Sequence, residues 1–129
     1  MGGVTMPFKA KDKIVFIGDS ITDKGRRKDP LKLGTGYVRI LHDFLTAAYP
    51  ALSLKIINEG ISGNRVTDLE KRWMFDVLDH RPQWVSVSIG INDVWRHWIR
   101  RTWSRCTRNG SRRCTAACSR KRRSRRTAV

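Results

Sequence analysis

Three short apolar runs, each followed at once by small and polar residues and separated by stretches of helical period, constrain this 129-residue chain most. Lys13-Ile14-Val15-Phe16-Ile17 ends at Gly18, Leu54-Lys55-Ile56-Ile57 runs into Asn58, and Trp84-Val85-Ser86-Val87-Ser88-Ile89 ends at Gly90. Continuous runs this short suit strands buried on both faces, the habit of parallel sheets. Between the first two runs, Tyr37, Ile40, Leu41, Phe44, Leu45 and Ala48 recur at helical spacing, and Pro50 stops the pattern. Between the second and third, Thr67-Asp68-Leu69-Glu70 has the Thr-x-x-Glu form of a capping box and predicts a helix start. Its apolar face would be Leu69, Trp73 and Val77, with Met74 and Leu78 beside it, and Pro82 ends it. Residues 21–35 and 58–66 read as loops. The order β-α-β-α-β predicts one α/β domain, a parallel sheet covered by helices.

Ligands of such sheets bind beyond the carboxyl ends of the strands. Three clusters would meet there: Gly18-Asp19-Ser20, Asn58-Glu59-Gly60-Ile61-Ser62-Gly63-Asn64 and Gly90-Ile91-Asn92-Asp93. Any one of them is ordinary turn chemistry. Together they offer a serine hydroxyl on a tight turn, a glycine whose backbone lets a ligand approach closely, and an asparagine amide donor. A hydroxyl nucleophile with convergent N–H donors is the equipment of acyl transfer.

Gly18-Asp19-Ser20-Ile21-Thr22-Asp23 resembles block I of the SGNH (GDSL-like) hydrolases, with Ile where the family name spells Leu. Asn58-Glu59-Gly60-Ile61-Ser62-Gly63 resembles block II, and Gly90-Ile91-Asn92-Asp93 block III. The resemblance covers residues 13–96 in the right order. It implies a three-layer α/β/α, flavodoxin-like fold with a parallel sheet of about five strands, truncated here to three. It implies hydrolysis of a carboxylic ester, or of a lysophospholipid-like substrate, through an acyl-enzyme on Ser20. The oxyanion hole would be the Ser20 N–H, the Gly63 N–H and the Asn92 side chain, with Asp19 holding the turn. No cofactor or metal is implied, and the partner is a small-molecule ester.

The family's last motif, Asp-x-x-His, supplies the general base and its orienting acid. None of the three histidines, His42, His80 and His97, has Asp three residues before it. The base is therefore unassigned, and the chain as written is expected to be inactive. With later strands missing, one sheet edge is expected to lie uncovered.

Charge divides the chain. Residues 1–96 hold 15 Lys/Arg and all 11 Asp/Glu, whereas residues 97–129 hold 12 Lys/Arg, no acid, and the three cysteines Cys106, Cys114 and Cys118. The organisation expected is a lead-in over 1–12, the partial hydrolase domain over 13–98, and a disordered Arg-rich tail over 99–129 without helical or strand period. The spacing of His97, Cys106, Cys114 and Cys118 matches no common zinc pattern. Arginines with Trp98 and Trp103 suit phosphates and bases, which makes a nucleic-acid-binding tail on a degenerate scaffold the alternative function. The other explanation is translation out of frame from about codons 97–102. Shifted by two bases, the codons allowed by residues 103–109 can spell Glu-Pro-Val-Tyr-Pro-Glu, and those of residues 114–122 Tyr-Arg-Arg-Leu-Leu-Ser-Glu-Ala. That text is acidic and helix-forming, as an in-frame continuation should be, and a specific nucleic-acid partner is not expected. The first residues lack a signal-peptide apolar stretch, no run could span a membrane, and the myristoylation pattern fails at the sixth position. Cytoplasmic localisation is the expectation.

Overall fold

The structure is a computed structural model that describes residues 6–108, with side chains as far as Arg100. Residues 109–129 lie outside the described residues, and with them Cys114, Cys118 and most of the Arg-rich tail. The chain divides into two units between Asp93 and Val94.

The three apolar runs are strands of one parallel sheet: β1 (Lys13–Gly18), β2 (Lys55–Gly60) and β3 (Trp84–Ser88). The strand order β2-β1-β3 is the one with which flavodoxin-like sheets are wound. Ile14 stands beside Ile56 on one side and Trp84 on the other, and the register runs without a bulge to Gly18. A short helix α1 (Ser20–Asp23) follows β1, then α2 (Tyr37–Ala48), α3 (Val66–Asp76) after β2, and α4 (Ile91–Arg108) after β3.

Because side chains alternate along a strand, β1 feeds two cores. Ile14 and Phe16 pack with Leu33 and Val38, the latter from α2, with Tyr37, Leu54 and Ile56 alongside. Val15 and Ile17 pack with Leu69 of α3 and Val77, with Ile57, Trp73 and Ile89 alongside. The layers are helix, sheet, helix, as the resemblance implied. Val15 and Ile17 are fully buried, and each such side chain stabilises the fold by roughly 1.5–3 kcal/mol. Before β1, Asp12 accepts hydrogen bonds from the Lys9 N–H and the Trp84 indole (both 2.9 Å), and Phe8 meets Trp84 edge-on at 5.3 Å. The lead-in is thereby tied to the third strand.

Five expectations are corrected. The strand β2 continues through Asn58 to Gly60, because pairing with β1 persists as far as Gly18. The region expected as a loop over 21–35 opens with α1 and a 3₁₀ turn at Arg26–Lys28. Helix α3 starts at Val66, and its first turn is closed by Asp68, which accepts the Arg65 N–H at 3.0 Å, rather than by Thr67 and Glu70. Strand β3 was expected to be buried on both faces, yet Trp84, Val85 and Val87 are 40–50% exposed. Among the described residues β1 is its only neighbour in the sheet, and its other edge is open there. On α2 only Leu45 of the predicted apolar face is buried and Tyr37 is half-buried, while Ile40, Leu41 and Phe44 are exposed; the fully buried residue is Val38, which lay outside that face.

Hydrogen exchange is therefore expected to be slowest in the centre of β1 and markedly faster in β3. Truncating the fully buried Ile17 to alanine removes about 2–5 kcal/mol and is expected to speed exchange in β1 about thirtyfold or more. Protection in β3 equal to that in β1 would contradict this gradient.

Candidate active site

The site grows from the last residue of β1. A Cβ on Gly18 would stand 2.3 Å from the Ser88 carbonyl oxygen, so only glycine lets β3 come this close. A Cβ on Gly60 would stand 2.3 Å from the Asp23 nitrogen, so only glycine lets α1 settle on the end of β2. Asp19 leaves the strand in a non-helical conformation, is almost wholly buried, and its carboxylate accepts the Ile21 N–H at 3.0 Å. It is the N-cap of α1, with an acid where the helix leaves N–H groups unpaired. Ser20 is then the first helical residue, and it is exposed.

Asn58, the first residue of the second cluster, is buried. Its amide donates to the Thr22 and Leu33 carbonyls, both at 2.7 Å, and its oxygen accepts the Gly60 N–H at 2.9 Å. Both hydrogens and the acceptor are engaged, so Asn58 locks α1, the loop at Leu33 and its own strand together. The following loop, residues 61–65, is held from every side. Ile61 N–H donates to the Gly18 carbonyl (3.0 Å), and the Ser62 N–H and hydroxyl both donate to Asp23 (3.1 and 2.9 Å). Gly63 sits in the loop at φ +82°, where other residues are strained. The Asn92 amide donates to the Asn64 carbonyl (2.9 Å), and Asp93 accepts the Val66 N–H that opens α3 (3.1 Å).

Two arginines complete the frame. Arg72 of α3 donates to the Gly18 carbonyl (3.1 Å), the Glu59 carbonyl (2.8 Å) and the Asn64 side chain (2.8 Å), and pairs with Asp76 (2.5 Å). Arg26 donates to the carbonyls of Gly60 (2.6 Å) and Asn58 (2.8 Å) and pairs with Glu59 at 3.1 Å. It thereby occupies carbonyls on the outer edge of β2, which would otherwise be open to another strand. Sequence reasoning missed both arginines and the roles of Asp23 and Asp93. The spacing of Arg72 and Asp76 by four on a helix was the one visible signal.

Burial raises the Asp23 carboxyl, but the Ser62 hydroxyl and N–H, with the Arg26 N–H and charge, outweigh it and leave Asp23 below the usual carboxylate value. His42 pairs with Asp43 on α2 (2.9 Å), His80 with Glu59 (3.3 Å), and His97 lies exposed on α4. Among the described residues no histidine is hydrogen-bonded to the Ser20 hydroxyl, and no group of three His, Cys, Asp or Glu could hold a metal ion.

A serine at the end of the first strand of a three-layer parallel α/β sheet, walled by the two neighbouring strand-end loops, defines a hydrolase-type scaffold. The sequence matches the GDSL-like lipase/acylhydrolase family over residues 16–122. The chain belongs to that family. An acetylxylan esterase from Geobacillus stearothermophilus is 49% identical over 98 residues, which is 72% of this chain and 45% of that protein. Its crystal structure superposes with a TM-score of 0.68 over the same shares of the two chains. Structures of that esterase include variants described as catalytic mutants, in which a serine, an aspartate or a histidine three positions beyond the aspartate is replaced by alanine. An α/β hydrolase from the metagenome of Lake Arreo, Spain, is 47% identical, with a TM-score of 0.66 over 69% of this chain and 44% of that one. The chain thus spans about half the length of the relatives it matches.

The lowered Asp23 carboxyl fixes the sign of a pH effect. The stability it lends the 61–65 loop is fully present above the ordinary carboxylate range and is lost as pH falls through that range and below. On acidification, exchange of the Ser62 amide is expected to accelerate before that of β1, and Asp23→Asn should show the fast exchange already at neutral pH. A Ser62 amide indifferent to both changes would show that Asp23 does not hold the loop.

Proposed function

We propose that this chain carries the nucleophile and oxyanion half of a serine ester hydrolase. The observation that carries the reading is the exposed Ser20 at the first turn of α1, with the loop bearing Gly63 and the first turn of α4 bearing Asn92 hydrogen-bonded into one frame around the same strand ends. In the reaction the Ser20 oxygen attacks the ester carbonyl carbon and the alcohol leaves, forming an acyl-enzyme that water then hydrolyses. The oxyanion is received by the Ser20 N–H, the Gly63 N–H and the second hydrogen of the Asn92 amide, whose first hydrogen is given to Asn64. Asp19 is a positioning residue, holding the turn through Ile21. The chemistry of these residues calls for no metal or cofactor.

The substrate class is an acetyl ester of a xylo-oligosaccharide in preference to a lysophospholipid-like ester. The support is the 49% identity over 98 residues to an acetylxylan esterase. The reading includes no base: an Asp-x-x-His pair is not in the sequence, and the three histidines have other surroundings. Without a base, Ser20 is a weak nucleophile at neutral pH.

Hydrolysis of p-nitrophenyl acetate by the 129-residue chain is expected to stay close to the uncatalysed rate. Turnover near that of ordinary enzymes, about 10 s⁻¹, and abolished by Ser20→Ala, would show that another group serves as base. Joined to a segment supplying the Asp-x-x-His pair, the same residues are expected to release acetate from acetylated xylo-oligosaccharides, and Asn92→Ala to lower that rate about 10²–10³-fold.

A further inference from the structure

Helix α4 carries a surface that the ester site does not use. Ile91, Val94, Trp95, Trp98 and Ile99 follow the spacing i, i+3, i+4, i+7, i+8 and share one arc of the helix. All five are exposed, between 38 and 68%. Arg96, His97 and Arg100 fall on the opposite arc. From Val94 onward the charge of the sequence is of one sign: no acid follows Asp93, and residues 94–129 hold 13 Lys/Arg. Among the described residues no helix is long and apolar enough to cross a membrane.

The helix also revises the sequence reading, which gave the segment from residue 99 no helical period. The period appears once the helix is seen to begin at Ile91 in the third strand-end cluster and to run on to Arg108. Tryptophan and isoleucine on one arc and arginine on the other make a helix suited to lie in the plane of a bilayer, its apolar face at the headgroup boundary. The basic arc and tail complement a surface of negative lipids. A nucleic acid would engage the arginines but would leave Val94 and Ile99 with nothing to bury them.

We propose that α4 is an interfacial helix that docks this protein, reversibly and without spanning, on bilayers rich in anionic lipid. The test uses the full chain with vesicles of phosphatidylcholine alone and of phosphatidylcholine with about one third phosphatidylserine, the attraction of Lys and Arg to such a surface being additive. Partition onto the anionic vesicles is expected to exceed that onto neutral ones at least about tenfold, with tryptophan emission blue-shifted and quenched by brominated acyl chains. Val94→Ser and Ile99→Ser leave the charge unchanged and lie on the exposed arc, so circular dichroism should be preserved. Each is expected to lower partition about tenfold through lost apolar burial. Three results would overturn the proposal: no preference for anionic vesicles; binding abolished by salt but indifferent to both serine substitutions; or tighter binding to a DNA duplex that strips the protein from vesicles and is equally indifferent to them.

Discussion

The guanidinium of Arg72 is the interaction on which the rest of the strand-end architecture depends. One planar group on α3 reaches the final carbonyl of β1, a carbonyl near the end of β2, the side chain of Asn64 and its own helix partner Asp76. Those carbonyls lie where parallel strands stop pairing and the chain turns away, and a buried carbonyl left unpaired is costly. An arginine's rigid fork can satisfy several at once, where a lysine could not. With the strand ends fixed, the 61–65 loop can be gripped by Asp23 from α1 and by Asn92 and Asp93 from the start of α4. Ser20 is held in turn, because α1 rests on Gly60 and Asn58 of the same strand.

The sheet explains why order and exposure are graded as they are. β1 alone has two strand neighbours and two helical faces, so its five residues from Ile14 to Gly18 are all buried. β2 has one neighbour, and part of its other edge is occupied by the Arg26 fork. β3 has one neighbour and keeps Val85 and Val87 half exposed. An apolar strand with one open edge is where a further strand of the family's sheet would pair, and the chain covers 45% of the length of the esterase it resembles. In the reading proposed above, the nucleophile and the oxyanion donors fall in this half of the fold and the base in a segment that has no counterpart in the sequence.

Much of this was legible in the residues themselves. Buried-type runs, helical periods and the stops at Pro50 and Pro82 were enough for the β-α-β-α-β order, since each reflects local chain geometry and the need to bury one face. The positions of Ser20, Gly63, Asn92 and Asp19 at the strand ends were legible because the three clusters stand at fixed offsets from the apolar runs. The misreadings share a cause. Asn58, Glu59 and Gly60 look like loop residues, and only pairing with β1 makes them strand. Thr67 and Glu70 form a valid capping pattern, but the helix begins one residue earlier, where Asp68 meets the Arg65 backbone. The helical period of α4 was obscured because a cut by charge near residue 97 split the helix between two segments.

By itself the sequence determined the strand-helix alternation, the family and the lack of an Asp-x-x-His pair, because these depend on residue type and on spacing along the chain. Only the tertiary structure decided which polar side chains work together. Apart from the contacts of Arg72 with Asn64 and Asp76, Arg26, Arg72, Asp23 and Asp93 are separated from the groups they hold by 13 to 54 residues of chain, with partners that are mostly backbone atoms. Backbone carbonyls and N–H groups are present at nearly every residue, so no pattern of side chains announces which ones will be left unpaired at the end of a strand. That follows from where strands of different lengths stop beside one another, which the fold alone sets.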